Sequence, residues 1–260
     1  MKKTEKHIRV LQDALKTAAR LQLSDAMSLL DVSESTARRL FSQMEQQGLV
    51  IRVHGGIQPI GDSAVGYRYD VVENQNTEAK RKIGAAAAEL VENGDVVFLD
   101  SGTTLGFMSA ALARRLAEGG LTGVTVFTNS LVNLHALAKV TEVTLIGGRY
   151  RDNRKDFCGY VAEEAIRPLR FTKCFLGTDG YSPTGGFAAT DFSTAQMSEL
   201  VFARSQTRIL LADASKFTSA AMVGFSKGKP IQYLITDKAP AAPLAGDLTR
   251  WGTQVKLIGL

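Results

Sequence analysis

From Thr77 to the end of the chain, short unbroken apolar runs alternate with helical segments, and this alternation restricts the possible folds more than any other feature. Asp95–Asp100 (DVVFLD), Val124–Asn129 (VTVFTN), Glu142–Ile146, Lys173–Gly177, Arg208–Asp213 (RILLAD), Ile231–Thr236 and Val255–Ile258 read as strands. Thr77–Glu92, Thr104–Ala117, Ser130–Ala138, Val161–Ile166 and Thr194–Ser205 read as helices, the first with Ile83 and Leu90 on its buried side. A strand that is apolar at successive positions has no face to offer to water. Both faces must be covered, and the intervening helices are what can cover them. The pattern predicts an α/β domain with a mainly parallel sheet.

The polar residues gather in the loops after these strands. Asp100-Ser101-Gly102-Thr103-Thr104 joins a strand to a helix. Glycine lets a ligand approach the backbone, while hydroxyls and the unpaired N–H groups at a helix start can hold an anion. Thr128-Asn129-Ser130, Gly147-Gly148-Arg149, Gly177-Thr178-Asp179-Gly180 and Asp213-Ala214-Ser215-Lys216 follow other strands. Any one of these loops is as readily a helix cap or a plain turn. Ligands of open α/β sheets, however, collect at the carboxyl ends of strands, so five such loops predict one pocket. Its floor is expected from Asp100, Ser101, Gly102, Thr103 and Thr104, with Lys216 as cationic partner. Thr128, Asn129, Ser130, Gly147, Gly148 and Asp179 would line the remainder. Asp100 cannot serve an anion directly; it accepts bonds from ligand hydroxyls or orders its loop.

The first part of the chain has a different period. Ala37, Leu40, Phe41 and Met44 recur at helical spacing and share one face. Ser35, Thr36, Arg38, Arg39 and Ser42 lie on the other sides, Ser33 occupies an N-cap position and Gly48 a C-terminal stop. Beyond it Leu49, Ile51 and Val53 alternate with Val50, Arg52 and His54, and Gly55-Gly56 signals a turn. Upstream, Thr4–Arg20 reads as a helix through Ile8, Leu11 and Leu15. Ser24–Leu30 is a short helix with Ala26, Leu29 and Leu30 apolar, and Asp31-Val32 a tight connection. An arginine pair alone would be a solvated face. Helix, short helix, tight turn, basic helix and hairpin is the order of a winged helix-turn-helix. Its outward guanidinium and hydroxyl groups can bond the phosphates and base edges of double-stranded DNA. The DNA-contact candidates are Ser33, Ser35, Thr36, Arg38, Arg39 and Ser42, with Arg52 and His54 on the wing.

Charge supports this division. The chain of 260 residues carries a formal +5, and residues 1–57 hold nine Lys/Arg against six Asp/Glu, a net of +3. The expected organisation is a DNA-binding domain at 1–57, a linker at 58–76 and an α/β effector domain at 77–260. The linker contains Pro59, Gly61 and Gly66; Tyr67, Tyr69 and Val71 alternate, so that part forms a strand or packs on a neighbour. The two cysteines, Cys158 and Cys174, lack metal-ligand spacing, and neither a metal site nor a disulfide framework is expected. With no signal-peptide core and no apolar run of about 18 residues, the expectation is a cytoplasmic protein without membrane contact. Neither G-x-G-x-x-G nor G-x-x-x-x-G-K-[ST] occurs, so no nucleotide cofactor is expected.

The block LLDVSESTARR through GLVIRVHGG resembles the DNA-binding domain of DeoR-type bacterial transcriptional regulators. Val32, Ser33, Thr36, Arg38, Arg39, Gly48, Arg52, His54, Gly55 and Gly56 match the family pattern, while Leu40 and Phe41 replace its usual Asp-Leu. DSGTT, TNS, GG, FLGTDG and DASKF resemble the effector domain of the same family, which is similar to ribose-5-phosphate isomerase-type folds. The resemblance implies a repressor of carbohydrate catabolism, a phosphorylated sugar or related metabolite as effector, and a homodimer or homotetramer. Where the family often carries E-A-x-V-K-R, this chain has Thr194-Ala195-Gln196-Met197-Ser198-Glu199. The rival expectation is a working sugar-phosphate isomerase. Such enzymes resemble G-A-D-E-x-D followed by a loop lysine, and Gly177–Gly186 offers Asp179 without the second carboxylate or that lysine. A binding domain is therefore the expectation, not an enzyme.

Overall fold

The structure, a computed structural model, describes residues 3–15, 20–46, 49–53, 55–59, 67–218, 223–226 and 228–259. The chain divides into two units, Met1–Tyr67 and Arg68–Leu260.

The first unit runs α1 (Lys3–Leu15), β1 (Leu21–Gln22), α2 (Leu23–Leu30), α3 (Glu34–Gln46), β2 (Val50–Val53) and β3 (Gly56–Pro59). Its core is the face anticipated from the helical period: Ile8, Leu11, Leu15, Ala26, Ala37, Leu40, Phe41 and Met44, joined by Leu21, Val50 and Ile57. Leu40 and Phe41 are both buried in this core, so the departure from Asp-Leu is a packing substitution. Leu29, expected on the apolar side of α2, is 49% exposed. Of the expected first helix to Arg20, Lys3–Leu15 is helical and residues 16–19 lie outside the described set, while Leu21 and Gln22 pair with Ile57 and Gly56. This antiparallel pairing makes a three-stranded sheet in the order β1-β3-β2. It also explains both glycines of the turn. Gly55 sits at φ 76°, and a Cβ on Gly56 would lie 2.2 Å from the Leu21 carbonyl oxygen. Gly48 and His54 lie outside the described residues.

The second unit opens with α4 (Tyr69–Val72) and α5 (Thr77–Ala88), followed by β4 (Val96–Leu99), α6 (Thr103–Ala117), β5 (Thr125–Thr128), α7 (Leu131–Leu137) and β6 (Glu142–Leu145). A hairpin, β7 (Arg149–Arg151) with β8 (Asp156–Cys158), precedes α8 (Tyr160–Ile166) and β9 (Phe171–Leu176). Next come β10 (Gly180–Ser182), β11 (Gly186–Ala189), α9 (Phe192–Arg204), β12 (Ser205–Leu211), a 3-10 turn at Ala214–Thr218 and β13 (Val223–Gly224). The unit closes with β14 (Tyr233–Thr236), α10 (Leu244–Trp251) and β15 (Gln254–Leu257). Tyr67, Tyr69 and Val71 do not form a strand: Tyr69–Val72 is a turn of helix that buries Tyr69. Of the expected linker at 58–76, Gln58 and Pro59 belong to β3 and residues 60–66 lie outside the described set.

Seven parallel strands form the main sheet in the order β15-β14-β12-β9-β4-β5-β6. Alternation along each strand feeds two cores. Val97, Leu99, Phe175, Ile209, Leu211 and Ile235 pack under α5, α6 and α7. Phe98, Cys174, Leu176, Leu210 and Leu234 pack under α8, α9 and α10. The unbroken apolar runs are therefore double-sided strands. The order of the strands places the site. From β4 the chain adds β5 and β6 on one side, then returns to place β9 on the other, so the switch in winding lies between β4 and β9. In open α/β sheets the switch point is where ligands bind, outside the carboxyl ends of the strands.

Candidate nucleic-acid interface and effector pocket

Helix α3 presents the residues expected to meet DNA. Ser33, Ser35, Arg38 and Arg39 are exposed, and Thr36 and Ser42 half-buried, opposite the core face. The Ser33 hydroxyl lies 3.1 Å from those of both Ser35 and Thr36 at the start of the helix. Arg38 donates from Nε to Glu34 Oε1 at 2.8 Å, an exposed i,i+4 pair worth at most about 1 kcal/mol. Release of Arg38 to a phosphate is therefore cheap. Arg52 lies on β2 in the wing, and His54 is outside the described residues.

In the second unit the carboxyl ends of β4, β5, β9 and β12 come together as the register requires: Leu99 pairs with Thr128 and Phe175, and Leu210 with Leu176. Asp100 spans the switch point. Its carboxylate accepts from the Ser101 amide at 2.8 Å and the Gly177 amide at 3.2 Å, so it orders two loops. Burial raises its pKa to about 7, against the pull of those two amides. Gly102, at φ 120°, caps α6 with open space where a Cβ would stand. Behind it, the buried Thr103 and Thr104 begin a 15-residue helix with no acidic residue in its first turn. The helix dipole and its unpaired N–H groups favour an anion there.

The neighbouring loop is wall more than surface. Thr128 donates to the Leu99 carbonyl at 2.7 Å, and Ser130 caps α7 by accepting from the Asn133 amide at 3.3 Å. Asn129 donates to the Phe157 carbonyl at 3.0 Å, while its Oδ1 is buried without a hydrogen-bond partner. Gly148 serves the β7–β8 hairpin: a Cβ there would lie 2.7 Å from the Cys158 carbonyl oxygen. Gly147 is half-buried beside it. Asp179 accepts from Thr190 through amide and hydroxyl, each at 3.1 Å, and Lys216 reaches within 3.9 Å of its other oxygen. Of the expected residues, Gly102, Thr103 and Thr104 thus stand together at the start of α6, Lys216 lies beside Asp179, and Asp100, Thr128 and Ser130 bond to neighbouring backbone.

Sequence reasoning passed over a buried ionic group bonded to the Ser101 loop. Ser101 donates to Asp156 Oδ2 at 2.8 Å. Arg151 clamps Asp156 through Nε and Nη2, both at 2.7 Å, and reaches Asp191 at 2.9 Å and the Thr194 hydroxyl at 2.9 Å. Arg154 stands 3.6 Å from both aspartates. Burial works against the Arg151 charge, but the two carboxylates hold its pKa above the ordinary value. Three arginines within RYRDNR, followed by Asp156, were the available signal. Thr194 and the buried Ser198 fall in the segment that departs from E-A-x-V-K-R. Here Thr194 supports Arg151, and no cation is built into that turn. A separate cleft of about 430 Å³ opens at the amino end of the sheet, but its Lys173 is already paired with Glu92 and Asp95.

The sequence matches the DeoR-like helix-turn-helix domain over residues 8–61 and the DeoR C terminal sensor domain over residues 75–238. The chain belongs to the DeoR family. Among its relatives is the HTH-type transcriptional regulator GlpR of Haloferax volcanii, 33% identical and covering 80% of each chain. Another is a putative aga operon transcriptional repressor of Escherichia coli O157:H7, 30% identical over 98% of this chain and 94% of the other. A solved structure of ribose 5-phosphate isomerase A from Methanocaldococcus jannaschii is similar over 55% of this chain and 56% of that one, at 18% identity and a TM-score of 0.42. This DeoR-family chain is a DNA-binding transcriptional regulator with a sensor domain, as its motifs implied, and not an enzyme. Among the described residues no helix is long and apolar enough to cross a membrane.

Proposed function

We propose that this regulator represses a carbohydrate catabolic operon and that a phosphorylated sugar, bound at the switch point between β4 and β9, controls its hold on DNA. It acts in the cytoplasm as a homodimer or homotetramer, with α3 and the wing on the operator. The observation that carries the effector reading is the start of α6: Gly102 leaves open space in front of a helix N-terminus whose first turn holds two threonines and no acid. A phosphate fits that charge pattern. The unpartnered Asn129 Oδ1 supplies an acceptor for a sugar hydroxyl at the same edge. The relatives named as operon repressors support the direction of control. The DNA-binding role falls to the unit Met1–Tyr67, which includes β3 to Pro59, and the sensing role to the unit Arg68–Leu260, which α4 opens, in place of a division at 1–57, 58–76 and 77–260. A thermal-shift screen of the full chain against phosphorylated sugars and their free counterparts tests the ligand class. A phosphorylated sugar at 100 times its Kd stabilises by about 2.7 kcal/mol, and the free sugar does not. Stabilisation by the free sugars alone contradicts the phosphate assignment.

A further inference from the structure

Eight large apolar side chains are exposed among the described residues, and four of them belong to the β7–β8 hairpin and the helix starts beside it. Tyr160 and Val161, 74% and 66% exposed, occupy the first turn of α8. Phe192, 65% exposed, opens α9, and Tyr150, 41% exposed, lies on β7. Topology brings these elements together. α8 and α9 each precede a strand of the parallel sheet and lie on the same side of it, so both begin at its carboxyl edge. The hairpin bridges the two starts. A Cβ on Gly148 would lie 3.1 Å from the Cβ of Ala162 in α8, and Arg151 bonds Asp191 and Thr194 at the start of α9, each at 2.9 Å. Alternation along β7 turns Arg151 inward and Tyr150 outward, where its ring meets Phe157 of β8 at 5.3 Å between centroids.

The second unit's core does not use these side chains. The faces that α8 and α9 turn to it carry Ala162, Ile166, Ala195, Val201 and Phe202. At about 200 Å² for a whole aromatic side chain, Tyr150, Tyr160 and Phe192 alone expose roughly 350 Å². One exposed apolar residue is ordinary, but several hundred Å² rimmed by polar groups is characteristic of a docking surface. The rim carries both signs. Asp152 pairs with Lys155 at 2.9 Å and Glu164 with Arg167 at 2.6 Å, so those charges cancel locally. Arg149, exposed on β7, and Glu163 of α8 add one charge of each sign. DNA or an anionic lipid surface would call for an excess of cations. A second copy of the same face meets the pattern: across a twofold axis the apolar centres coincide, and Arg149 stands against the partner's Glu163.

We propose that the β7–β8 hairpin and the first turns of α8 and α9 form an isologous interface with a second copy of this chain. The proposal rests on the homo-oligomeric reading above and assigns it a surface. It also places that surface next to the sensor. The inner side of the same hairpin holds Arg151 and Asp156, and Ser101 of the β4–α6 loop donates to Asp156 at 2.8 Å.

The test is sedimentation equilibrium of the full chain without DNA. The wild type is expected to associate. Tyr160→Glu with Phe192→Glu is expected to raise the dissociation constant at least about a hundredfold, the scale of removing two aromatic anchors from an interface. Both side chains are exposed, so far-UV circular dichroism is expected to match the wild type. Charge tests the partner. Arg149→Glu and Glu163→Arg each set like charges across the axis, and each alone is expected to weaken association at least about tenfold. Mixed in equal amounts, the two variants are expected to pair at wild-type strength, because each then faces its opposite. Association that survives Tyr160→Glu with Phe192→Glu overturns this face and leaves the oligomeric reading standing. A wild-type chain that stays monomeric overturns both. A mixture no stronger than its components shows that the face does not meet its own copy, and overturns the isologous pairing.

Discussion

Arg151→Met removes the centre of the buried ionic group beside the Ser101 loop. In the wild type the guanidinium makes four bonds of 2.7–2.9 Å, to both oxygens of Asp156, to Asp191 and to Thr194, with every partner buried. Methionine fills much of the same volume and makes none of them. Two buried carboxylates are left with Arg154, which stands 3.6 Å from each. Breaking a buried pair by deleting one partner costs about 3–5 kcal/mol, because the remaining charge stays desolvated. A domain of this size loses about 2–4 °C in melting temperature per kcal/mol, so a fall of roughly 6–20 °C is expected. Denaturant titration and calorimetry on the full chain measure it. Adding Asp156→Leu is expected to recover part of the loss, because Asp191 retains Arg154. A loss below about 1 kcal/mol for Arg151→Met would refute the reasoning, since that is the scale of a solvated surface pair.

Arg38→Ala with Arg39→Ala is expected to abolish specific operator binding at fixed salt while leaving the melting curve unchanged, because both side chains are exposed on α3; wild-type affinity in the double variant would remove α3 from the interface. Thr103→Ala is expected to weaken the effector by about ten- to a hundredfold, the loss of one charge-assisted bond of about 1.5–3 kcal/mol, with operator affinity unchanged without effector. This substitution is cleaner than Gly102→Val, which strains a backbone at φ 120° whatever the ligand does. Asp100 gives a pH test: burial raises its folded pKa to about 7 from an ordinary 3.8, so its contribution to stability is complete below pH 4 and is lost as pH rises to 7. Asp100→Asn is expected to gain on the wild type by up to about 4 kcal/mol between pH 4 and pH 8, and parallel curves for the two proteins would contradict it.

The sequence shows the elements whose residues follow a single period. The face of α3 reads correctly from Ala37, Leu40, Phe41 and Met44, and the double-sided strands from runs such as VVFL and RILLA. The loops at the strand ends are legible as well, because glycines and hydroxyls mark them. What those residues do there is less visible. Asp100 looks like a ligand but bonds two backbone amides, since its partner Gly177 is remote in sequence. Asp156 and Asp191 meet only because the β7–β8 hairpin folds over the start of α9, and no spacing announces that. Lys80 sits in a run of charges, TEAKRK, that reads as a solvated helix face; only the close approach of Gly84 to α6 turns it inward. The helix at Tyr69–Val72 was hidden by an alternation that fits a strand equally well.

The central claim is that an anionic sugar at the start of α6 changes the grip of α3 on DNA. The most direct measurement is operator affinity of the full chain, on a site selected from random-sequence DNA, as a function of each phosphorylated sugar that stabilises it. One such sugar is expected to change the affinity at least about fivefold in the wild type, the lower end of ordinary coupling between sites. In Thr103→Ala the same change is expected only at about ten- to a hundredfold higher sugar concentration. If a stabilising phosphorylated sugar leaves operator affinity unchanged, or shifts it at the same concentration in Thr103→Ala, the account is contradicted.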